Sequence, residues 1–241
     1  MNVDIDTIGS VVDMNIFANA TVGKRNQTLA LFDFRTQVQQ FIEYDNEQPG
    51  PVAQKGKIDL EAKWTVFTVL FGIWDLLEYT SLEKEAAEHA VDRSVEELFH
   101  NLNDLASHVG MPIKVVIPKV VDVTFLPHFQ NGKNGSDVFA NKQHESVFLW
   151  TYWNTLLSQA AAEWQGGDIY MPDMNAIVLD QVRQKQMYSS NTSDESGAGK
   201  QAPLFDEVEK PCLSLKAEGG GSDMQAADVE KCSHPARHLF W

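Results

Sequence analysis

Three aspartates stand where chemistry is expected if the chain is built from strands and helices in alternation. Asp75 follows the apolar run at positions 64–72, Asp122 lies past a second run at 113–117, and Asp173 past a third at 168–171. In open α/β sheets ligands sit beyond the carboxyl ends of the strands, and three carboxylates gathered at such an edge would suit a hard cation such as magnesium. Asp at such places also caps the following helix or closes a turn, and this is the preferred reading. The histidines add little. His89 and His100 share a helical face opposite an apolar stripe but stand three turns apart, too far to share a metal; His128 and His144 flank a loop, and His234 and His238 lie in the tail. Neither a zinc-type Cys/His spacing, a Gly-rich phosphate loop nor a Gly-x-Ser-x-Gly elbow occurs, so no metal and no cofactor is expected.

Charge narrows the partners. The sequence carries 34 acidic against 19 basic residues, a formal net charge of -15, which repels nucleic-acid backbones and anionic lipid surfaces. The greasiest run is of strand length, far short of the roughly 18 residues of a membrane span. The opening MNVDIDTIGS has neither a basic region nor an apolar stretch, so the chain as given carries no secretory signal and reads as cytoplasmic. Two other features point outward. Cys212 and Cys232 are the only cysteines, and such a pair flanking a loop closes a staple in an oxidising compartment or remains two thiols in a reducing one. Sequons at Asn19, Asn26, Asn134 and Asn191 favour secretion of the parent protein.

The elements that must position these residues follow from periodicity. The segment WTVFTVLFG, at 64–72, is a continuous β-branched and aromatic run suited to a strand buried on both faces. Thr80-Ser81-Leu82-Glu83 reads as a capping box, and Val91, Val95, Leu98, Leu102, Leu105 and Val109 then recur at steps of four and three until Gly110 and Pro112. A strand at 113–117, a helix at 144–164, a strand at 168–171 and a helix at 174–188 complete the alternation. An earlier helical stripe of Phe34, Val38, Phe41 and Ile42 has Asp33 as its cap. The expectation is α/β: one domain over 1–241, a parallel central sheet with helices on both faces in three layers, and flexible polar loops at 189–202 and 216–228.

In this order and spacing the pieces resemble the SGNH, or GDSL-type, ester hydrolases, in particular their fungal secreted branch. IGSVVD at 8–13 resembles the family's second block, with FRTQVQQF downstream resembling the helix that follows it; LFGIWDLLEY resembles the third block; FDEVEKPCL and CSHPARHLFW resemble the Cys-containing run that leads into the last. The resemblance implies a flavodoxin-like parallel sheet between helices, a Cys212–Cys232 bridge, and acyl transfer on small-molecule or glycan esters. It places Gly9 at the oxyanion-hole glycine, and Gly72 and Asp75 on the Gly and Asp of the third block. Trp74 falls where the motif has its oxyanion Asn, an alteration at a position where losing one donor costs about 3 to 4 kcal/mol of transition-state stabilisation. Neither the Gly-Asp-Ser nucleophile block nor the Asp-x-x-His block occurs in the sequence. The expectation is therefore a truncated, catalytically incomplete member; the alternative is a non-catalytic scaffold that binds glycan or protein.

Overall fold

The computed structural model describes residues 11–16, 33–47, 65–126, 129, 137–215 and 229–240. The chain divides into two compact units, Met1–Val123 with Gly135–Asp173, and Thr124–Asn134 with Met174–Trp241.

The first unit is α/β. Its elements are α1 (Phe34–Glu47), β1 (Val66–Thr68), α2 (Ile73–Tyr79), α3 (Lys84–Val109), β2 (Ile113–Val116), α4 (Asp137–Glu163) and β3 (Gly167–Tyr170). The strands form an all-parallel sheet in the order β1-β2-β3, with Phe67 beside Val115 and Val115 beside Ile169. Parallel neighbours need a long crossover, which α2 with α3 and then α4 supply. The α3 stripe is the core: Val91, Val95, Leu98, Leu102 and Leu105 are buried, and α4 adds Leu149, Trp153 and Leu157. At the start of β3 the chain adopts φ +153° at Gly167, where a Cβ would strike the backbone of Ile113 on β2, so this close approach requires glycine.

Two expectations are corrected here. The run at 64–72 is not buried on both faces: Val66 and Leu70 are 53% and 54% exposed, and across the sheet Tyr170 is 68% exposed, while Val115 on the opposite face is 1% exposed. The physical reason is the pleat. On the central strand β2, too, exposed Lys114 alternates with buried Ile113 and Val115, so among the described residues alternate side chains divide between a packed face of the sheet and an open one. Trp64 lies outside the described residues. The second correction concerns the capping box. Thr80 and Ser81 turn their hydroxyls backward onto the carbonyls of Leu77 and Glu78, closing α2, and Glu83 rather than Thr80 precedes α3. A short helix that the sequence reading missed had claimed both hydroxyls.

Asp33 does cap α1: its Oδ1 accepts the Thr36 N–H at 2.7 Å. The helix is fastened to the rest of the unit by rings and by a hydrogen bond. Phe41 meets Phe67 edge-on at 5.9 Å, and His108 near the end of α3 lies 2.8 Å from the Asp45 carboxylate, which is buried.

The second unit holds α5 (Met174–Ser189) and an antiparallel pair, β4 (Leu213–Leu215) with β5 (Val229–Lys231). Cys212 and Cys232 form a disulfide at the base of that pair. The last described stretch is laced to 206–212: Leu239 N–H donates to Glu207 O, Cys212 N–H to Phe240 O, and Arg237 forks onto Asp206 at 2.6 and 2.9 Å. The 189–202 stretch is pinned by Asp194, which accepts from Ser196 Oγ and Ala198 N–H and pairs with Arg183 at 2.7 Å. The 216–228 stretch lies outside the described residues. No described helix is long and apolar enough to cross a membrane.

Candidate functional site

The site begins at the turn that leaves β1. Gly72 has φ +107°, a conformation that side chains resist, and an added Cβ would stand 2.6 and 2.7 Å from two atoms of the Trp153 indole and 3.0 Å from Val120 Cγ2. The turn is therefore seated directly beneath a fully buried ring. Val120 lies on the loop past β2, and α4 holds this loop by its backbone. Val120 N–H donates to Asn154 Oδ1 at 2.9 Å, and Val120 O accepts from Asn154 Nδ2 at 2.9 Å and from Trp150 Nε1 at 2.6 Å. Residues 150, 153 and 154 can act together because positions three and four apart share a helix face. One face of α4 thus fixes the loops at the carboxyl ends of two adjacent strands.

Asp75 supplies the second fastening. Its carboxyl is wholly buried and accepts the Val12 N–H at 3.3 Å, across 63 positions of sequence. Burial pushes its pKa up from 3.8 to about 7, against the opposing pull of the Val12, Asp75 and Gly72 amides and of the Tyr79 hydroxyl. The other carboxyl oxygen, Oδ2, has no partner at full hydrogen-bond distance, so the Tyr79 contribution is a weak one. The Tyr79 phenol is instead 3.0 Å from Ser94 Oγ, and burial followed by the Asp75 charge drives its own pKa upward.

Two more aspartates fix the segment that Asp75 holds. Asp13 Oδ1 accepts the N–H groups of Asn15 and Ile16, and Asp33 Oδ2 accepts that of Met14 at 2.9 Å. Residues 11–16 are consequently tied to the start of α1 and to α2 at once. Gly9 lies outside the described residues, but Val11 and Val12, two and three positions on, are fully buried at this junction. Trp74 stands in the first turn of α2 and is partly exposed.

The three aspartates read as a possible cation edge do not gather. Asp75 is turned inward onto backbone amides, Asp122 is buried, and Asp173 is exposed. Among the described residues no three His, Cys, Asp or Glu side chains could hold a metal ion. His89 and His100 are exposed, the latter 3.9 Å from Asp104, while His128 lies outside the described residues. Ser233 Oγ and His234 Nδ1 are 2.8 Å apart, but they are successive, exposed residues in local contact rather than a built nucleophile and base. An open groove of about 600 Å³ between α3 and α4, lined by Phe99, His100, Leu156 and Trp164 among others, includes none of the strand-end residues.

The sequence reading missed Trp150, Trp153 and Asn154. Their i, i+3, i+4 spacing in WTYWN was the available signal, but it reads equally as an ordinary core stripe. The chain was compared with protein-family models and with curated proteins, and nothing matched in either comparison.

Proposed function

We propose that these residues form the oxyanion side of an SGNH-type ester hydrolase of the secreted kind, acting on acylated carbohydrate or lipid esters. What supports the reading is the Val12–Asp75 hydrogen bond. Positions 8–13 and 70–79 resemble two different family blocks, and Asp75 joins the second to the end of the first. In this reading a serine attacks the ester carbonyl, a histidine takes its proton, and backbone amides near Gly9 hold the developing oxyanion. Asp75 is then a positioning residue, keeping the Gly9 segment in register with the Gly72 turn. The Cys212–Cys232 disulfide supports an oxidising compartment.

Because Gly-Asp-Ser and Asp-x-x-His do not occur in these 241 residues, the polypeptide alone is expected to hydrolyse short-chain acyl esters no faster than buffer and to take up no serine-directed phosphonate. A robust rate abolished by that reagent would contradict the assignment of roles. Trp74 favours a second reading, a non-catalytic scaffold that binds glycan, since a partly exposed indole stands where the motif has a compact amide. Quenching of indole fluorescence by an oligosaccharide, lost in Trp74→Ala, would support that reading.

A further inference from the structure

The sequon Asn191-Thr192-Ser193 follows α5, and all three residues are exposed. Asn191 has φ +51°, the left-handed conformation that ends many helices. Asn191 N–H donates to Tyr188 O, and Thr192 N–H donates to Met187 O at 2.9 Å. These two bonds make Asn191 the residue just past the helix end in a Schellman motif. Helix capping accounts for an Asn at this position and for Thr192, whose hydroxyl donates to Met187 O at 3.3 Å, but not for the hydroxyl of Ser193 two residues on. Tyr188, three positions before Asn191 and joined to it by that bond, is 43% exposed. An exposed phenol ring one turn from a sequon offers a flat apolar surface to the first sugar of a chain attached there.

We infer that Asn191 carries an N-linked glycan whose first sugar covers the ring of Tyr188. In the modification the Asn191 side-chain nitrogen forms a bond to the anomeric carbon of that sugar, one proton leaves the nitrogen, and the lipid-linked pyrophosphate of the oligosaccharide donor departs. The inference rests on the secretory setting proposed above. The disulfide in the same unit belongs to that setting, and the Asp194 turn just beyond, held by Arg183, keeps the sequon on a folded platform.

The test is peptide mapping of the protein purified from the organism that encodes it, read on the tryptic peptide spanning 186–200. The expected result is a glycan at Asn191 that an endoglycosidase releases. Ser193→Ala, which leaves the cap intact, should remove that glycan and no other. Tyr188→Ala should lower the melting temperature of the glycosylated protein more than that of the deglycosylated protein; equal losses would overturn the covering of the ring. A protein with the disulfide closed and glycans at Asn19, Asn26 or Asn134, but none at Asn191, would overturn this inference and leave the secretory reading standing. A protein bare at all four sites with reduced cysteines would overturn both.

Discussion

Trp153→Ala is expected to destabilise the first unit by about 3 to 5 kcal/mol, the range for removing a large buried aromatic. Trp153 is 0% exposed, and its ring fills the space that a side chain on Gly72 would need. The cost has two parts, the lost burial and the release of the Gly72 turn and Val120 loop that the ring presses together. A double-mutant cycle separates them. Gly72→Ala alone must push its methyl into the indole and hold φ +107°, whereas in the Trp153→Ala background the indole clash is gone and only the backbone strain and the 3.0 Å approach to Val120 Cγ2 remain. The two substitutions should therefore be strongly non-additive, with the double variant more stable than the sum of losses predicts. Trp153→Phe sharpens the point. The indole Nε1 is buried with no hydrogen-bond partner among the described residues, so a ring without that donor forfeits no bond and should cost much less than Ala. Denaturant midpoints for the four proteins of the cycle check this; simple additivity would show that ring and turn are not coupled.

Asp75→Asn should change how stability depends on pH. In the unfolded chain Asp75 titrates near 3.8, and in the fold burial raises it to about 7. Between those values the folded carboxyl keeps its proton while the unfolded one releases it. The folded state then binds more protons, and stability falls as pH rises through the window, with the full penalty present above pH 7. The magnitude is on the order of a few kcal/mol. Asn keeps an oxygen for the Val12 N–H and cannot ionise, so its stability curve should be flatter between pH 5 and 8, and the gap from the native protein should close or reverse as pH rises. Parallel curves for the two proteins would show that Asp75 does not titrate in this range. Asp75→Leu removes the acceptor altogether and should cost about 1 to 3 kcal/mol at pH 5, where the native carboxyl is neutral.

Local pattern carried the α/β alternation because it needs only period and punctuation. The stripe from Val91 to Leu105 and the stop at Gly110 sit in α3 as the spacing predicts. Pattern failed where a residue serves a distant partner. Thr80 and Ser81 look like a helix start in one dimension, but their hydroxyls were taken by α2. The exposure of Val66, Leu70 and Tyr170 was not legible either, because a run of β-branched residues does not say which face of the sheet stays open. At the site, Gly72 and Asp75 were picked out by position. What they do depends on Trp153 and Val12, which lie 81 and 63 residues from Gly72 and Asp75 respectively, and no local window joins residues so far apart.

The reading of these residues as the oxyanion side of an ester hydrolase is tested most directly by translating the coding DNA on both sides of the 241 codons and assaying the extended polypeptide on short-chain acyl esters. The account predicts a Gly-Asp-Ser block upstream, an Asp-x-x-His block downstream, and hydrolysis that a serine-directed phosphonate abolishes. Flanks that encode neither block in any frame, or an extended polypeptide carrying both that folds and yet hydrolyses no ester, would contradict it.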